Sequence, residues 1–164
     1  MAEADANRTT GPAALVLSLR TAFVEEGGGG PIMGDADAFV DTLAPHATDD
    51  FSSVMEGGAL TTRYEGLDGL RAGWQDFLEA FDEIEIVPGE LRESPSGDAV
   101  VEFVRLVGKP RGVSAAIDQD AAAVWRLRDG KLSAVEFHID RAAALRAGGL
   151  DPAAPGPPVA GSSP

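Results

Sequence analysis

Three ionisable residues fall at alternate positions near the end of the folded region: Glu136, His138 and Asp140, in "KLSAVEFHID". Successive strand residues point to opposite faces, so residues two apart share one. A histidine between two carboxylates could hold a metal ion or move a proton. The same trio also suits an interface or structural polar contacts, and Asp140 stands where it would N-cap a helix beginning at Arg141. A second group is His46, Asp49 and Asp50 in "HATDD". It offers a general base with an orienting carboxylate, or simply a polar loop after a helix ended by Pro45. A third candidate is Arg105, a lone guanidinium in "VVEFVRLV". On an apolar face it needs a partner, either Asp118 or Asp120 from the next strand or the carboxylate of a ligand. Trp74, Phe77 and Phe81 suit a core or the wall of a ligand pocket. The four glycines from Gly27 are followed by Pro31, with no GK[ST] ending, and read as a connector. Two-residue spacing by itself specifies no metal, and no cofactor is expected.

The totals narrow the field. The chain has 164 residues, enough for one domain with a real core. Its net charge of -14 repels phosphate backbones and anionic lipid, so neither nucleic acid nor a membrane surface is an expected partner. With no cysteine there is no disulfide, no thiolate nucleophile and no Cys-based zinc or iron–sulfur site. The first residues are acidic, and the short apolar run "AALVLSL" fails as a signal peptide or a span, so a cytoplasmic protein is expected. The Ala, Gly, Arg, Asp and Pro bias is that of a high-GC bacterial genome.

These candidates must be positioned by the elements around them. Residues 1–10 lack periodicity and are expected to be disordered, as is the tail 151–164 with its five prolines. Between them, 11–150 reads as one domain. Leu15, Val16, Leu19, Ala22 and Phe23 mark a first helix. Phe39, Val40 and Leu43 mark a second, with Asp35 as its N-cap. "HATDDFSSVMEGG" reads as a short strand and turn. Leu67, Leu70, Trp74, Phe77, Leu78 and Phe81 mark the clearest amphipathic helix. Four strands follow, "EIEIVPGELRES", "DAVVEFVRLVG", "VSAAIDQDAAAVWRLRDG" and "KLSAVEFHI". Asp129-Gly130 is a hairpin signal between the last two. "RAAALRAGGL" closes the domain as a short helix. Helices first and an antiparallel meander after them make an α+β fold. In "VVEFVRLV", Val101, Phe103, Arg105 and Val107 share one face and Val100, Glu102, Val104 and Leu106 the other. Both are mostly apolar, so one meets the helices and the other needs a cover, most economically a second subunit.

The order of elements, with "YEGLDGLRAGWQDF" opening the third helix and "WRLRDGKLSAVEFHIDRAAALRAGGL" at the end, resembles the SnoaL-like members of the nuclear transport factor 2-like superfamily. The resemblance covers Ala13 to Leu150. It implies a cystatin-like α+β cone: N-terminal helices packed on a strongly curved, mostly antiparallel sheet, with an internal pocket and dimers through the outer sheet face. Matched to it, Ser133, Val135, Phe137 and Ile139 face the pocket. Val100, Val104, Leu106 and Ala134 face away, toward a homodimer partner. The ligand-binding set it suggests is Tyr64, Trp74, Phe103, Arg105, Trp125 and Phe137.

Its chemistries transfer poorly. The ketosteroid isomerase branch uses an Asp base, a first-helix Tyr and a protonated Asp. Here the only tyrosine, Tyr64, precedes the third helix, and Asp49, Asp50 and Glu56 match the base position loosely. The epoxide hydrolase branch needs an Asp–Arg–Asp trio, and the matching positions hold Phe103, Arg105 and Phe137, so its acids are missing. The polyketide cyclase branch uses an acid near the end of the last strand, where Glu136 and Asp140 stand. No catalytic residue is assigned. The expectation is a small-molecule-binding protein with an apolar pocket, as a cofactor-free isomerase or cyclase on a hydrophobic substrate. The alternative is a non-catalytic homodimeric binding or assembly module.

Overall fold

A computed structural model describes residues 11–26, 35–57 and 60–152. The expectations for 1–10 and for the tail beyond Pro152 lie outside them. The first helix, α1 (Pro12–Glu26), buries Val16 and Leu19; Ala22 and Phe23 lie outside the described side chains. The second helix, α2 (Ala36–Leu43), buries Phe39, Val40 and Leu43. The Asp35 side chain accepts from the amides of Asp37 and Ala38, as an N-cap should. A single turn, Ala44–His46, leads into β1 (Ala47–Gly57), longer than the sequence suggests. The strand β2 (Leu60–Glu65), which carries no clear sequence signal, pairs with it.

The third helix, α3 (Gly66–Glu79), buries Leu70 and Trp74. Four strands follow: β3 (Phe81–Glu93), β4 (Ala99–Pro110), β5 (Ile117–Arg128) and β6 (Lys131–His138). Asp129 and Gly130 turn the last hairpin with φ of 54° and 78°, the left-handed pair that a two-residue hairpin demands. The last helix is α4 (Arg141–Ala147), with Asp140 as its N-cap.

The six strands form one curved, unclosed sheet in the order β2-β1-β6-β5-β4-β3. Only β1 and β6 run parallel; every other neighbouring pair is antiparallel. Pro88 interrupts β3 at a register shift, which costs little because β3 is an edge strand. The three early helices pack on one face of the sheet. There Val16, Leu19, Phe39, Leu43, Leu70 and Trp74 meet Val100, Trp125, Leu132 and Val135 in the main core.

Two sequence expectations about faces are reversed. On β4 it is Val100, Val104 and Leu106 that join the helix-side core, whereas Val101 and Phe103 lie on the opposite face. Both faces of this strand are apolar because each has a cover. The second cover is α4, whose Ala144 and Leu145 pack on Val101, Phe103, Ala122 and Val124. The chain's own last helix thus takes the place that a second subunit was expected to fill at this end of the sheet. On β6, the alternation that points Ala134 outward would point Leu132 outward too, yet Leu132 is fully buried in the main core. The cause is a bulge: Arg126 pairs with Ala134 and Leu127 with Leu132, so Ser133 is an extra residue. One inserted residue flips the alternation upstream of it.

Candidate functional site

A cavity of about 160 Å³ lies between the sheet and α3. Its floor is β4 and β5, through Glu102, Val104, Leu106, Ala121, Ala123 and Trp125; Trp74 and Phe77 roof it, and Met55, Ile86, Phe137 and Ile139 close the sides. The sequence explains why space is left here. In β5 the run Ala121-Ala122-Ala123 puts two methyl groups where a core strand would ordinarily place Val, Ile or Leu. The roof cannot sag into the gap because it is braced by aromatic contacts. Trp74 lies with its ring centroid 5.0 Å from Phe39, 5.0 Å from Phe77 and 5.1 Å from Phe137. Such pairs hold fixed ring geometries.

The walls are mostly apolar; the ionisable residues along them are Glu56 and His138 at the side, paired with each other, and Glu102 at the floor. Glu102 is 8% exposed. Its Oε2 accepts two bonds from Arg20 of α1, from Nε at 2.9 Å and Nη2 at 2.7 Å. Its Oε1 accepts from the Trp125 indole Nε1 at 3.0 Å. A buried carboxylate requires a countercharge and hydrogen bonds, and Glu102 has both. Sequence reasoning put this residue on the outer face. The signal that could have found it is a lone acid inside an apolar strand, with a lone arginine along α1.

The six residues expected to bind a ligand divide evenly. Trp74, Trp125 and Phe137 line the cavity. Tyr64, Phe103 and Arg105 do not. Tyr64 packs on the backbone of α3, where a Cβ on Gly73 would come within 2.7 Å of its ring. Phe103 lies on the outer face beneath two guanidinium groups, Arg92 at 5.2 Å and Arg141 at 4.9 Å. Arg105 is also outward, with 54% of its side chain exposed and Nε 3.1 Å from Asp118. The partner proposed from sequence, Asp118, is the one it finds, and its place on the cavity face is a correction. The physical reason is the same phase of β4 that brings Glu102 inward.

Glu136 and His138 do point away from the helices, into a chain of charges. His138, 5% exposed, has Nδ1 2.8 Å from Glu56 Oε2 and Nε2 3.2 Å from Glu136 Oε1. The other Glu136 oxygen meets Arg126 Nε at 2.6 Å, and Arg126 donates onward to the Ala147 carbonyl at the end of α4. The Glu136 hydrogen bond, against the cost of burial, raises the His138 pKa above its ordinary value. The same bond, seconded by Arg126, lowers that of Glu136. Asp140 stands apart from this group and caps α4, accepting from the amides of Ala142 and Ala143. Among the described residues no cluster of three or more His, Asp or Glu is arranged to hold a metal ion. In the "HATDD" segment, Asp50 pairs with Arg128 at 2.5 Å, which holds its carboxyl down at about 2. His46 sits in the turn before β1. No helix among the described residues is long and apolar enough to cross a membrane.

Comparison with known proteins places this geometry. No curated protein matches the sequence at a significant level. Solved structures do match the fold. A proposed SnoaL-like polyketide cyclase from Jannaschia sp. CCS1 aligns with a TM-score of 0.53 at 23% identity, over 73% of this chain and 85% of its own. An NTF2-like protein of unknown function from Exiguobacterium sp. 255-15 gives 0.55 at 20% identity, over 76% of this chain and 98% of its own. TerC, crystallised with polyporic acid, gives 0.53 at 23% identity, over 67% and 85%. At these identities the likeness is one of fold. The family model for the SnoaL-like domain matches residues 33–135, from the approach to α2 through the core of β6. With helices on one face of a curved mixed sheet and a cavity beneath α3, the chain belongs to the SnoaL-like domain family.

Proposed function

We propose that this protein binds a small hydrophobic molecule in the cavity beneath α3. The observation that carries the reading is the cavity itself: about 160 Å³ of space walled by Trp74, Phe77, Trp125 and Phe137 and floored by alanines. Close packing is the rule in protein interiors, so a void this size is costly to keep. An apolar cavity of roughly 150 Å³ takes one benzene-sized ring. The volume therefore selects a single ring, or one ring of a larger molecule whose remainder leaves past Ile139. Drug-sized ligands ordinarily need roughly 300 Å³ or more, so a steroid or fused polyketide would not fit whole. If the bound molecule is also a substrate, Glu102 is the one charged group on the floor available for cofactor-free proton transfer of the isomerase or cyclase kind.

Calorimetry with toluene tests the binding reading. Toluene should bind the full chain, and Ala123→Leu, which fills the floor, should abolish the binding while leaving the fold intact by circular dichroism. Failure of both toluene and its hydroxylated analogue phenol to bind the unaltered protein would sink the proposal.

Homodimerisation through the outer sheet face belongs to the same proposal in revised form. The strip under α4 is already covered, so a partner would use the remainder of that face, where Val54, Val107 and Ala134 lie half-buried. Sedimentation equilibrium at micromolar concentration should show a dimer; a clean monomer would exclude it.

A further inference from the structure

We infer that the ligand of this cavity carries a hydroxyl or enol donor on its ring, and that Glu102 reads it. The inference rests on the cavity being a binding site and adds to it the chemical class of the occupant. The starting point is that Glu102 is out of place for a purely structural residue. A methionine or leucine would fill the same strand position beside Val100 and Val104 without a buried charge to neutralise. Instead the chain commits Arg20 and the Trp125 indole to holding the carboxylate still.

The hydrogen-bond inventory leaves one opening. An ionised carboxylate offers about two acceptor sites on each oxygen. Oε2 accepts twice from Arg20. Among the described residues Oε1 accepts once, from Trp125, and so retains a site. A ring on the alanine floor beside Trp125 can direct an O–H to it. Among the described residues each cation near the cavity is already engaged: Arg20 by Glu102, and His138, which also lines the cavity, by Glu56 and Glu136, while Arg105 is on the other face with Asp118. A carboxylate ligand would set a second negative charge against Glu102 in apolar surroundings, which is strongly unfavourable. Neutral donors are therefore accepted and anions refused.

The test compares three probes of one size by calorimetry on the full chain: toluene, phenol and benzoate. Phenol should bind at least as tightly as toluene although its hydroxyl is the better hydrated group, and benzoate should not bind measurably. Glu102→Gln should weaken phenol about ten-fold more than it weakens toluene, as expected for a hydrogen bond to a charged acceptor. Should that variant misfold, the unaltered protein labelled with ¹³C-glutamate supplies the same answer: phenol should shift the Glu102 carboxyl resonance and toluene should leave it in place. Toluene binding with phenol weaker and no carboxyl shift would overturn the inference while leaving the cavity reading intact. Benzoate binding as well as phenol would also overturn it. Failure of both toluene and phenol would remove the cavity reading itself.

Discussion

Among the described residues Glu102 and His138 are the two buried ionisable groups, and they make different predictions. Breaking a buried ion pair from one side leaves a charge without a partner and typically costs about 3–5 kcal/mol. Arg20 is a fifth exposed, so Arg20→Met should cost toward the lower end, about 3 kcal/mol by urea denaturation. The double variant Arg20→Met with Glu102→Met should recover most of that loss, because the stranded carboxylate is gone. His138 has a carboxylate beside each ring nitrogen, so its protonated form is attracted to both. A pKa raised above 6.5 contributes stability that is complete below pH 6.5 and fades as the pH rises through the folded-state value. The lowered pKa of Glu136 contributes stability that is complete above pH 4.5 and fades as the pH falls below it. The contact should be strongest between those limits. Melting curves should show stability declining from pH 6.5 upward in the wild type, and His138→Gln should flatten that decline. An unchanged slope in the variant would assign the effect elsewhere, His46 being the only other histidine.

At the scale of elements, the contact between β2 and α3 depends on the absence of a side chain. The Tyr64 ring lies where the Cβ of any residue but glycine at position 73 would stand. Gly73→Ala should therefore cost about 1–3 kcal/mol, the usual penalty for overpacking. With Tyr64→Ala already present, the same change should become stabilising by up to about 1 kcal/mol, because alanine is the better helix former. A double-mutant cycle followed by thermal melting would separate the two. The last helix is short and depends on its cap and on its buried face. Asp140→Ala removes the acceptor for two amides and should cost about 1 kcal/mol, with the loss appearing first as faster amide exchange in α4.

For the whole molecule, the arrangement of covers determines what the sheet can do. The early helices cover one face and hold the cavity open against an alanine floor; α4 covers part of the other and is tied down through Arg126, Glu136, His138 and Glu56. That tie crosses β5, β6 and β1, whose inner residues Ala123, Phe137 and Met55 line the cavity. Neutralising His138 should therefore loosen the cavity wall as well as α4. If toluene binds as proposed, its affinity should fall from pH 6 to pH 8.5 in the wild type and be flat in His138→Gln.

Local periodicity was enough to determine the helices and the last four strands of this protein. Helical spacing marked α1, α2 and α3, Asp35 and Asp140 announced the caps of α2 and α4, and Asp129-Gly130 announced the last turn, because each is set by interactions within a few residues. The family likeness in the third helix and the C-terminal segment carried the α+β cone. What alternation could not determine is which apolar face of β4 meets the helices. Val100 and Val101 are equally good core residues, and the choice between them is made by α1 and α4, which come from opposite ends of the chain. The same blindness hid the Ser133 bulge, which only pairing with Arg126 reveals. It also hid β2, a short strand recognisable by its partner β1 and by the glycine that receives Tyr64. The site followed from those choices. Trp74, Trp125 and Phe137 were legible as large aromatic residues in core-facing positions, but Glu102 became a cavity residue, and Arg105 a surface one, only when the tertiary packing set the phase of a single strand.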